Sequence, residues 1–134
     1  MRLTPVETEL VPFVWPRIED WIAASCRRAP SELTLEGLRD ACLDGEARLV
    51  LIGASALHPV AAGVIEVRTM TDGAKACWIL ALGGSGLRAW RDTLHLVETT
   101  ARDEGCASVE FAGRAGWARA LPRYACTTHY SMRL

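Results

Sequence analysis

From Ala76 to Leu82 every residue is apolar, and the run stops abruptly at Gly83-Gly84-Ser85-Gly86. A run of this length suits a strand and is too short for a helix core. Leu87, Trp90, Leu94, Val97 and Ala101 then recur at spacings of three and four, which aligns them on one helix face. Gly105 supplies the C-terminal stop. A buried strand, a glycine turn and an amphipathic helix in that order point to a mixed α/β chain. The turn also presents backbone N–H groups and the positive end of a helix dipole, which suits an anion.

The elements on either side extend the pattern. Met1 to Pro5 reads as a short strand that Pro5 confines to a sheet edge or a strand end. Between Pro12 and Arg28, Val14, Ile18, Trp21, Ile22 and Cys26 fall at helical spacing, with Pro16 expected in the first turn. Ala29-Pro30-Ser31 ends that helix. Thr34 is the expected N-cap of a second one, which carries Leu35, Leu38, Ala41 and Cys42 and closes at Asp44-Gly45. Arg48 to Ala54 and Val60 to Thr69 read as strands joined by a turn at His58-Pro59. Thr71-Asp72-Gly73 turns the chain again into the Ala76 strand, so three strands form an antiparallel meander. Ser108 to Ala112 follows the crossover helix and is expected to pair in parallel. Gly116 to Arg123 reads as a short helix and Thr127 to Leu134 as a final strand.

A chain of 134 residues that is 50% apolar can build one domain, residues 1–134, without disulfide or metal staples. Its net charge of −1 gives no global field toward nucleic acid or an anionic membrane. Five widely spaced cysteines with no C-x-x-C pair read as reduced thiols. No apolar run approaches the roughly 18 residues of a membrane span, and Glu7, Glu9 and Pro12 interrupt any signal-peptide core, so a cytoplasmic location is expected.

Candidate chemistry is sparse. Glu66 and Glu110 lie amid apolar residues, where desolvation strengthens a carboxylate as a proton acceptor. Strand alternation offers the plainer reading that both face solvent. Arg88 and Arg91 lie in the first turns of the helix, within reach of a phosphate or simply solvated. Trp21, Trp78 and Trp90 match core faces. Trp117, among Arg114, Arg119 and Arg123, suits an interface with a protein partner or a second copy, or an anchor for its own helix. No metal cluster, P-loop or hydrolase triad stands at recognisable spacing, so no metal is expected.

The element order β-α-α-β-β-β-α-β-α-β resembles the GNAT superfamily of N-acetyltransferases over essentially the whole chain. The resemblance implies a mixed, mostly antiparallel central sheet flanked by about four helices. In that family a Q/R-x-x-G-x-G/A loop holds the pyrophosphate of acetyl-CoA. Ala81-Leu82-Gly83-Gly84-Ser85-Gly86 matches it at Gly84 and Gly86, with Ala81 where Gln or Arg is expected. The implied cofactor-binding residues are Leu82, Gly83, Gly84, Ser85, Gly86, Leu87 and Arg88. The family's splayed strand edge and its base imply Glu66 or Glu110 as proton acceptor and an amine, on a small molecule or a protein, as acyl acceptor. The family's thiolate-protonating tyrosine falls on Leu121 if Ala125-Cys126 stands for its Gly-Phe pair. Tyr124, three residues on, is then the candidate phenol. The segment Gly113 to Tyr124 resembles a divergent group of such proteins from phages and prophages. These departures also imply a second reading, a noncatalytic member of the fold that works as a protein-interaction module.

Overall fold

The computed structural model describes residues 1–28, 33–85, 90–112, 125–126 and 129–134. Among them, strand β1 (Arg2–Pro5), a 3₁₀ turn (Thr8–Leu10), helices α1 (Val11–Arg28) and α2 (Leu35–Asp44), and strands β2 (Arg48–Gly53), β3 (Pro59–Thr69) and β4 (Lys75–Gly84) lead into helix α3 (Trp90–Asp103). Strands β5 (Ser108–Ala112), β6 (Ala125–Cys126) and β7 (His129–Arg133) complete the chain. The seven strands form one sheet in the order β1-β2-β3-β4-β5-β7-β6. Every pairing is antiparallel except that of β4 with β5, which is parallel as the crossover through α3 requires. The sheet is thus mixed, mostly antiparallel and flanked by helices. Three α-helices are described, and the short helix expected over Gly116 to Arg123 lies outside the described residues.

The sheet separates two apolar layers. On one face Leu94, Val97 and Ala101 of α3 pack on Val50, Ile52, Ile65, Cys77, Ile79 and Val109. On the other, Val11, Trp15, Ile18 and Ile22 of α1 join Leu38 and Cys42 of α2 over Leu49, Leu51, Val64 and Ala81. The buried stripe of α1 runs along Val11, Trp15, Ile18 and Ile22, so Val14 and Trp21 flank the core rather than centre it. Trp15 is the buried indole of this helix. Pro16 lies in the second turn of α1, not the first, because Val11 already belongs to the helix. Thr34 caps α2 by accepting the Gly37 N–H at 3.0 Å, an interaction that contributes about 1 kcal/mol, and Gly45 ends the helix at φ 79°.

The glycines after the apolar run behave differently from the expected turn. Gly83 and Gly84 close β4 instead of leaving it, pairing with Ala62 and Ala61. A Cβ on Gly84 would stand 2.5 Å from the Val60 carbonyl oxygen. One on Gly83 would stand 2.3 Å from the carbonyl oxygen of Trp21, where α1 crosses the strand. Both positions are therefore held small by backbone contact.

Burial pushes the Cys77 thiol up to about 12, with Cys106 and Glu104 adding to the effect, and the Cys42 thiol up to about 11. In the unfolded chain these thiols ionise near their ordinary value of 9.0. The unfolded state therefore sheds protons first as pH rises, and stability falls. The melting temperature should hold below pH 9 and drop between pH 9 and 12. Scanning calorimetry across that range checks it. A Cys77→Ala variant that keeps the full slope would remove the thiol as its cause.

Candidate active site

Strand β4 changes phase part-way along. Val64 pairs with Ala81 and Ile65 with Ile79, so Leu80 is an extra residue, a bulge opposite an unbroken β3. Bulges bend the strand that carries them, and the parallel partner shows the result. Strands β4 and β5 pair at Ala76–Ser108, Cys77–Val109 and Trp78–Glu110. Beyond Trp78 no further β4–β5 pairing is described, although β4 continues to Gly84 and β5 to Ala112, still paired with β7. The two strands part at this level, and the gap between them is the candidate cleft.

The edge that β4 turns to this cleft carries defined donors. Ser85 donates its N–H to the Val60 carbonyl at 2.9 Å, so the odd positions here face β3 and the alternate N–H groups of Leu82 and Gly84 face the cleft. Leu82 donates to Ser25 Oγ of α1 at 3.1 Å. The Ser25 hydroxyl keeps its own proton to give, so the amide's donor capacity is passed one atom further out. An extended arm with amide and thioester carbonyls fits such an edge as a strand would.

At the base of the cleft the register sets Glu66, Trp78 and Glu110 side by side on the α1/α2 face of the sheet. Glu110 is buried, at 7% exposure, and accepts from the Ser108 hydroxyl at 3.4 Å. The solvent-facing reading of Glu110 is thereby corrected, since β5 is an interior strand and the same-face neighbours of Glu110 are the Trp78 and Ser131 side chains. Glu66 is half-buried and pairs with Arg68 at 3.2 Å, and the Arg68 guanidinium carbon lies 4.5 Å from the centroid of the Trp78 ring. Trp78 is accordingly half-buried on the face opposite Cys77 and Ile79, not in the α3 core.

The remaining sequence candidates distribute as follows. Leu82, Gly83, Gly84 and Ser85 lie along the end of β4, whereas Gly86, Leu87, Arg88 and Tyr124 lie outside the described residues. Ala81, at the position where the family pattern has Gln or Arg, is 3% exposed under α1, so its side chain belongs to the core. Ser25 and Arg68 carried no local motif. Their roles come from partners distant in sequence or from cross-strand geometry.

This architecture recurs in solved structures. A GNAT family acetyltransferase from Brucella melitensis in complex with acetyl-CoA aligns over 99% of this chain and 87% of its own, with a TM-score of 0.69 and 9% identity. The chain has the GNAT fold. The NatC complex bound to Gag peptide and CoA aligns over 100% of this chain and 99% of the matched chain, at a TM-score of 0.61 and 11% identity. An aminoglycoside acetyltransferase from an uncultured soil metagenomic sample, in complex with sisomicin, aligns over 90% and 82% with a TM-score of 0.62 and 11% identity. No family model matches the sequence, and no curated protein matches it. The GNAT likeness therefore rests on shape, with side-chain identity near 10%. Among the described residues no helix is long and apolar enough to cross a membrane, and no group of His, Cys, Asp or Glu is arranged to hold a metal.

Proposed function

We propose that this protein transfers an acetyl group from acetyl-CoA to an amine. The parting of β4 from β5 beyond Trp78 and Glu110 carries the reading, because it turns the Gly84 N–H and, through Ser25, the Leu82 N–H toward the gap on the far side of the buried Glu110. Acetyl-CoA supplies an acyl group already activated as a thioester. Leu82 through Ser25, together with Gly84, would hold the pantetheine arm along β4, and the segment from Ser85 to Arg88 would meet the pyrophosphate at the start of α3.

The work left to the chain is proton handling and positioning. An amine is protonated near neutral pH and cannot attack until it loses a proton. Glu110 accepts that proton, directly or through water, and Ser108 holds the carboxylate in place. The new N–C bond forms as the C–S bond breaks, and the departing thiolate takes up a proton, for which Tyr124 is the candidate donor. Donors aimed at the acyl oxygen stabilise the charge that develops there.

Acetyl-CoA at a hundredfold excess over its dissociation constant should add about 2.7 kcal/mol, a rise of roughly 10 °C in melting temperature for a chain of this size. ATP at the same concentration is the polyphosphate control. Substituting Gly84 would be a poor control, since any side chain there collides with β3 backbone. A shift no larger than that of ATP would end the transferase reading and favour the interaction-module reading, to which the buried Ala81 already lends support.

A further inference from the structure

The transverse row of Glu66, Trp78 and Glu110 does more than supply a base. Neighbouring strands lie about 4.8 Å apart, so the two carboxylate-bearing positions stand about 10 Å apart with an indole between them. The Glu110 end meets the cleft between β4 and β5. The Glu66 end opens into a pocket of about 740 Å³ beneath the C-terminal end of α2, whose wall also carries Glu7, Glu46 and Arg48. Arg48 is neutralised there by Glu104 at 3.0 Å, which leaves the pocket net acidic. The row is thus a track of side chains running from the pocket wall at Glu66 to the level where β4 and β5 part.

The chain's own guanidinium shows what the middle of this track accepts. Arg68 lies 4.5 Å above the Trp78 ring and 3.2 Å from Glu66 Oε2, a cation held by an aromatic face and a carboxylate together. Its side chain is 42% exposed near the end of β3, so it can swing away into water at little cost. An incoming cation would meet the same two partners.

We infer that the acceptor is an elongated amine with a second positive charge, its reacting nitrogen at Glu110 and its distal cation on Trp78 and Glu66 in place of Arg68. The pocket receives whatever lies beyond. The direction of the track rests on the acetyltransferase reading, whereas the cation subsite rests on Arg68, Trp78 and Glu66 alone.

Calorimetric titration of the whole protein with α,ω-diaminooctane and with octylamine tests this. The diamine should bind about tenfold more tightly, the scale of one charge-assisted hydrogen bond. Glu66→Gln should erase that preference, and Arg68→Ala should raise diamine affinity several-fold by vacating the ring. A purely structural trio would give the same sign for both variants, so weakening by both overturns the inference, as does equal binding of the two ligands to wild type. Melting shifts with acetyl-CoA on the same samples keep the two readings apart. Diamine preference without a cofactor shift supports the subsite and removes the transferase; a cofactor shift without diamine preference does the reverse.

Discussion

Gly83→Ala should destabilise the fold by about 3 kcal/mol, at the upper end of what one inserted methyl costs in a packed interior. The added Cβ would sit 2.3 Å from the Trp21 carbonyl oxygen and 3.0 Å from its carbonyl carbon. Both are main-chain atoms of α1, so no rotamer change relieves the contact. Relief requires α1 to lift from β4, which loosens Ile18 and Ile22 from the layer beneath and draws Ser25 away from Leu82. Urea denaturation should show the midpoint falling in proportion, and the melting shift with acetyl-CoA should shrink as the cleft edge loses its hydroxyl. A midpoint within about 0.5 kcal/mol of wild type, the usual range for a surface substitution, would mean that α1 does not bear on the strand as described.

Glu110→Gln should lower kcat by a factor of about 10² to 10³, within the range attributed to one acid or base group. The amide keeps the shape of the carboxylate and an oxygen for the Ser108 hydroxyl, so the fold and the acetyl-CoA melting shift should be unchanged. What it loses is the capacity to take a proton. The rate should then climb with pH as more of the amine is already neutral in solution, a slope that wild type does not need. Retention of activity within about threefold would assign proton removal elsewhere, because a general base contributes far more than that.

Local signals carried much of the architecture. Thr34 and Gly45 delimit α2 through their own caps, and Leu94, Val97 and Ala101 repeat at a helical period that any apolar surface would satisfy. The meander and the parallel return of β5 follow from turn spacing and the handedness of crossovers. The site was harder to read because its determinants are relations between strands. An all-apolar run from Ala76 to Leu82 has no polar marker, so neither the bulge at Leu80 nor the outward face of Trp78 leaves a trace in it. Glu110 alternates with Val109 as an exposed residue would, and its burial depends on neighbours such as Trp78 that are distant in sequence. Gly83 and Gly84 read as a turn out of the strand, whereas they end β4 and are held small by main-chain atoms of Trp21 and Val60 that lie far off in sequence.

The bulge at Leu80 has a consequence for how this protein can change. Trp78 and Ala81 are three residues apart, an odd interval that would ordinarily send them to opposite layers, yet both look toward α1 and α2. Leu80 acts as a frameshift within the strand. Residues before it are phased to set Trp78 beside Glu66 and Glu110, and residues after it to set Ala81 beneath α1. Substitutions on one side of Leu80 can therefore accumulate without re-phasing the other, whereas losing that single residue would turn one of the two halves inside out.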